Sequence, residues 1–181
     1  MEGHAKAYAE NYEATHPGKK AHIVSVTSVQ GFIDAVNSAN FMIDHFEYVG
    51  HGSQTQPKLL LGDDDMKAWF RVENLNQLDM TKFAKNADFV LTACHGAEAS
   101  FGSNSIAAAF AKHFNRNVDA YDGDLNFGFP WPPHQAKTAT PLFILNAHYQ
   151  RGKRVTITPQ GSVKSMSSEI AGNFRYWHPV P

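Results

Sequence analysis

In the stretch ADFVLTACHGA, residues 87–97, an apolar run ends without an intervening turn on Thr92-Ala93-Cys94-His95-Gly96, and Cys94 is the single cysteine among 181 residues. A free cysteine taken alone is most often a small buried apolar filler, so the meaning of this thiol rests on its neighbours. The apolar run reads as a buried strand. Downstream, SNSIAAAFAKHF (residues 103–114) opens on Ser/Asn capping residues and continues through alanines, which predicts a helix.

Upstream, DHFEYVG (residues 44–50) alternates His45, Glu47 and Val49 against Phe46 and Tyr48 and stops at Gly50-His51-Gly52-Ser53, a second strand with a loaded tip. AHIVSV (residues 21–26) reads as a first strand, and TSVQGFIDAVNSAN places Val29, Phe32, Ile33 and Val36 at helical spacing. PKLLLGDDDMKAWFRV reads as a short hairpin or lid. NLNQLDMTKFAKNA sets Leu75, Leu78, Met80, Phe83 and Ala84 on one face and predicts a crossover helix. RNVDAYDGD and TPLFILNAHY supply two further strands, and KRVTITPQGSV an edge strand or hairpin.

Strands alternating with helices predict one α/β domain over residues 1–181, a three-layer arrangement with a mainly parallel sheet flanked by helices. Residues 1–20 form an N-terminal extension, and residues 151–181 a C-terminal edge hairpin and tail. Open α/β sheets bind ligands beyond the carboxyl ends of their strands. Two strands here end on His51-Gly52 and on Cys94-His95. If a right-handed crossover makes them neighbours, parallel strands about 4.8 Å apart bring thiol and imidazole together as a nucleophile with its base. Gly52 lets backbone approach a substrate, and its N–H with that of Cys94 forms an oxyanion hole.

The two blocks FEYVGHGS and DFVLTACHGA resemble the signature of the caspase-like cysteine peptidases: an apolar strand ending in His-Gly, then one ending in Ala-Cys. The group spans caspases, metacaspases, legumains, clostripain and gingipains, separase-like domains and the autoprocessing protease domains of bacterial toxins. The resemblance covers residues 21–121 and carries the dyad to His51 and Cys94, 43 residues apart, compatible with the roughly 50 of caspases. It implies a cysteine endopeptidase acting on a protein or peptide, of bacterial, effector or toxin type. Two other classes stand beside it: a silent caspase-fold interaction module, and another thiol acyl hydrolase or transferase. Caspases read Gln-Ala-Cys and metacaspases typically Asp-Ser-Cys where this chain has Thr92-Ala93-Cys94, so neither specificity transfers.

In the relatives the pocket for the residue before the cut is built by the first strand's tip, the residues before the cysteine, and the strand after the nucleophile's helix. Those positions are Thr27 and Ser28, Thr92, and residues 121–124. Thr92, Tyr121, Asp122 and Asp124 are the expected substrate contacts. With no positive charge there, an aspartate would be buried unpaired, so a basic or small neutral residue is expected before the cut. Asp63, Asp64 and Asp65 form an acidic turn: a contact for a basic side chain or a calcium loop, and more simply a solvated turn. Phe127, Phe129 and Trp131 make the loop YDGDLNFGFPWPP either part of the substrate cleft or a surface loop packed by its own aromatics. Arg151, Lys153, Arg154 and Lys164 resemble the inositol-hexakisphosphate surface of the toxin proteases, or serve as a charged edge that resists aggregation.

Sixteen Lys+Arg against seventeen Asp+Glu leave a net charge of −1, so no nucleic-acid or anionic-membrane partner is expected. A single cysteine allows no internal disulfide. The ten histidines show no paired zinc spacing, so no metal or cofactor is expected. His95, adjacent to Cys94, is expected to face away from His51. No apolar run approaches about 18 residues, and the polar start lacks a signal-peptide core. The expectation is a cytoplasmic protein, or a domain delivered into a target cell as an effector or toxin.

Overall fold

Residues 83–93 alternate so that Phe89, Leu91 and Ala93 point one way and Val90 and Thr92 the other; both sets are buried, and the segment is the central strand of the sheet. The computed structural model describes residues 2–62, 68–123 and 153–170. In chain order these form α1 (Glu2–Thr15), α2 (Val29–Asn37), β1 (Ile43–Gly52), β2 (Lys58–Leu61), β3 (Ala68–Arg71), β4 (Phe83–Ala93), α3 (Ile106–Phe114), β5 (Val118–Asp122), β6 (Lys153–Ile157) and β7 (Val163–Ile170). Among the described residues the strands make one seven-stranded sheet, ordered β3-β2-β1-β4-β5-β6-β7.

The sheet is mixed, where the sequence predicts a mainly parallel one. Its centre, β1-β4-β5, is parallel; β1-β2, β2-β3, β5-β6 and β6-β7 are antiparallel. The reason lies in chain length. Five residues join β6 to β7 and six join β2 to β3, and links that short make hairpins, whereas a parallel crossover needs a dozen residues or more.

Three segments differ from expectation. Residues 21–27 form no strand: Ile23 and Val24 are exposed, and the Ala21 N–H donates to Glu13 Oε1 at 2.9 Å rather than to a neighbouring strand. The crossover before β4 is not an α-helix but two 3₁₀ turns, Val72–Gln77 and Met80–Lys82, because β4 begins at Phe83 and takes the last third of the expected helix into the sheet. Residues 1–20, expected only as an extension, contribute α1, which has no buried side chain among those described and so no apolar stripe to betray it. The edge hairpin expected from KRVTITPQGSV forms, with β6 inside the sheet and β7 at its edge. The expected strand at residues 141–150 and the segments containing Asp63–65, Asp124, Phe127, Phe129, Trp131, Arg151 and the final FRYWHPVP lie outside the described residues.

Two of the three expected helices form, each with a serine cap. Ser28 Oγ accepts the Gly31 N–H at 3.0 Å, and α2 buries Phe32, Ile33 and Val36. Ser105 Oγ accepts the Ala108 N–H at 3.2 Å, and Asn115 closes α3 in the left-handed conformation at φ 51. These helices cover the sheet face of Phe46, Phe89 and Leu91 through a phenylalanine cluster that includes Phe89–Phe114 at 4.5 Å and Phe32–Phe70 at 4.6 Å. Each such ring contributes about 1.5–3 kcal/mol by leaving water. The opposite face is polar and meets α1, where Tyr12 stacks on His45 at 4.7 Å and on His16 at 4.3 Å.

Candidate active site

Register places the two expected catalytic residues. Val49 pairs with Thr92 and Gly50 with Ala93 across the parallel β1-β4 ladder, so His51 and Cys94 directly follow its last registered pair at the carboxyl ends of adjacent strands. His51 is exposed and Cys94 half-buried, so both can reach a bound molecule. On its other side His51 is held by β2, pairing with Leu60, and Gly52 pairs with Leu59.

Two glycines make this tip possible. A side chain on Gly52 would put its Cβ inside the radius of the Cys94 carbonyl oxygen, so β1 and β4 touch backbone to backbone there. At Gly50 a Cβ would overlap the phenol of Tyr48, whose ring folds back along the strand. Tyr48 is buried, and its hydroxyl proton is shared between the Leu60 carbonyl at 2.5 Å and the His51 carbonyl at 3.1 Å. Burial first, and the nearby Cys94 second, push the Tyr48 pKa well above its ordinary value, so it remains a neutral donor. Tyr48 thereby ties the histidine tip to the hairpin.

After Cys94 the chain turns sharply: His95 has φ 55, a left-handed conformation uncommon for a residue with a side chain. Three bonds to β5 or its end fix this turn. His95 N–H donates to Gly123 O at 2.9 Å, Ala97 N–H to Tyr121 O at 2.9 Å, and Ala99 N–H to Asp122 Oδ1 at 3.2 Å. The His95 ring is buried and its Nδ1 pairs with Glu98 Oε2. That bond to His95 is the main cause of a Glu98 pKa below the ordinary carboxylate range. The His95 amide is thus engaged within the turn.

The expected substrate contacts separate into two groups. Thr92 and Tyr121 line a cleft of about 140 Å³ between the polar sheet face and α1, together with Glu47 and Arg154. Asp122 is instead used by the loop backbone at Ala99, and Asp124 lies outside the described residues. Thr92 is buried, and its hydroxyl donates to Glu47 Oε1 at 2.6 Å. Arg154, counted by sequence with an activator-binding basic edge, donates to Asp119 Oδ2 at 2.6 Å and borders the cleft. Lys153 and Lys164 are exposed.

Comparison with protein-family models, curated proteins and solved structures gives no match. The family resemblance stays with the residues that carry it.

Glu47, Tyr48 and Glu98 are the residues that sequence reasoning missed. Glu47 alone left a signal: it shares the alternating face of His45, Val49 and His51, an acid aimed at the site from within a strand. Among the described residues no group of three or more His, Cys, Asp or Glu could hold a metal ion, and no helix is long and apolar enough to cross a membrane.

Proposed function

We propose that this chain is a caspase-like cysteine endopeptidase, with Cys94 as nucleophile and His51 as the proton carrier. The observation that supports it is the β1-β4 register, whose last pair, Gly50 with Ala93, directly precedes His51 and Cys94, with Gly52 close against the Cys94 carbonyl. The Cys94 thiolate, paired with protonated His51, attacks the peptide carbonyl and an S–C bond forms. The resulting oxyanion is received by the Gly52 and Cys94 N–H groups. Collapse breaks the C–N bond as His51 gives its proton to the leaving amine. Water then attacks the thioester with His51 accepting a proton, which releases the acid and restores the thiol.

Incubating wild type, Cys94→Ala and His51→Ala with a peptide library, with products read by mass spectrometry, tests this. Wild type is expected to cut, and both variants to lose at least about 1,000-fold in rate while melting like wild type. A thiol-directed acyloxymethyl ketone is expected to label Cys94. Labelling without peptide cleavage replaces the reading with a silent module, and turnover of small thioesters or esters alone replaces it with an acyl hydrolase.

A further inference from the structure

Thr92, which lines the cleft, stands two residues before Cys94 in the chain, about 7 Å at strand spacing. The cleft's volume of about 140 Å³ is of the order that admits a benzene-sized group, enough for one amino-acid side chain. Tyr12 and Tyr121 give it aromatic walls. Its charge is uneven. Arg154 is already matched by Asp119, at 2.6 Å. Glu47 has no such cation among the described residues: His45 Nε2 stands 3.7 Å from its Oε2, beyond hydrogen-bond distance. A carboxylate offers about four acceptor positions and Thr92 takes one, so Glu47 keeps capacity for a guanidinium or ammonium group.

We propose that this cleft receives the side chain preceding the scissile bond and that Glu47 makes it select arginine or lysine. The inference rests on Cys94 acting as a peptidase nucleophile. A long basic side chain lays its aliphatic stem against the tyrosines and carries its charge to Glu47, an arrangement in which the stem is desolvated and the charge is not orphaned. An aspartate in the same cleft would meet Glu47 as a like charge, with Arg154 already engaged. The acid is therefore Glu47 on β1, rather than Asp122, which the Ala99 backbone engages.

The test uses the full chain with matched fluorogenic peptides carrying Arg, Lys, Gln or Asp before the cut, on wild type and Glu47→Gln. The amide introduced by Glu47→Gln retains an acceptor for Thr92, so the variant is expected to melt like wild type. Loss of the charge is expected to lower kcat/KM for Arg and Lys peptides about 30- to 100-fold and to leave the Gln peptide within about threefold. An Arg preference that survives Glu47→Gln, or cleavage after Asp, overturns the subsite and leaves the peptidase standing. Agmatine titrated into Cys94→Ala protein by NMR gives an independent reading. Saturable binding that Glu47→Gln removes supports the subsite even if no peptide is cut, in which case the peptidase reading alone has failed. No agmatine binding in either protein overturns the subsite.

Discussion

Gly52 faces the Cys94 carbonyl so closely that a methyl group has no place to stand. Because the obstacle is backbone, relief requires the β1 tip or the turn after Cys94 to move, and both carry the site. Gly52→Ala is expected to cost about 1–3 kcal/mol of stability, as other overpacked positions do. It is also expected to lower kcat/KM at least about 100-fold through misplacement of His51. Urea unfolding and steady-state kinetics on a library-derived peptide measure the two effects. An alanine variant as active as wild type would show that the tip can shift without disturbing the dyad. The strand-end positions of His51 and Cys94 were legible in sequence, since both follow apolar runs on Gly-containing tips. The role of Glu98 was not, because its partner His95 is brought to it only by the left-handed turn at φ 55.

The crossover from β3 to β4 shows what replaces a helix when a segment lacks the length for one. Asn37, the last residue of α2, donates from Nδ2 to Gln77 O at 2.8 Å and accepts the Asp79 N–H at Oδ1 at 2.7 Å. One side chain thus satisfies backbone groups on both sides of Leu78, which is buried in the core. Asp79 then caps the second 3₁₀ turn through Thr81. Asn37→Ala removes both bonds and is expected to cost about 1–2 kcal/mol, read as a lower urea midpoint at unchanged m-value. Asn37→Asp keeps the acceptor and loses the donor, so it is expected to fall between the two. Helical spacing of Leu75, Leu78 and Phe83 was real as a burial pattern, yet two 3₁₀ turns and a strand start satisfy it equally well.

Across the whole molecule, acid is expected to act first through His113. The ring lies against Phe114, its Nε2 is buried without a hydrogen-bond partner, and burial holds its pKa below the ordinary 6.5. The unfolded chain then binds the proton more readily than the folded one, so the contribution is fully present above pH 6.5 and is lost as pH falls below it. Glu98, held low mainly by its bond to His95, follows the same sign at a lower window, beginning below its ordinary 4.5. Urea midpoints measured across this range are expected to decline from pH 6.5 downward, and His113→Leu to remove the first part of that decline. A His113→Leu slope equal to wild type would assign the first loss elsewhere.

Local signals along the chain were enough for the ends of β1 and β4, the α2 and α3 helices with their serine caps, both hairpins and the α/β class, because periodicity, caps and short links act over a few residues. They could not decide the direction of the outer strands, the fate of residues 21–27, or the presence of α1. A β-branched run becomes a strand only where another strand offers its hydrogen bonds, and here Glu13 of α1 takes the Ala21 amide instead. Nor could sequence select the acid of the cleft. Asp122 and Glu47 look alike as letters; the fold turns one toward the Ala99 backbone and sets the other beside Thr92. Side-chain partners 45 residues apart are fixed by strand register, and register is a property of the assembled sheet.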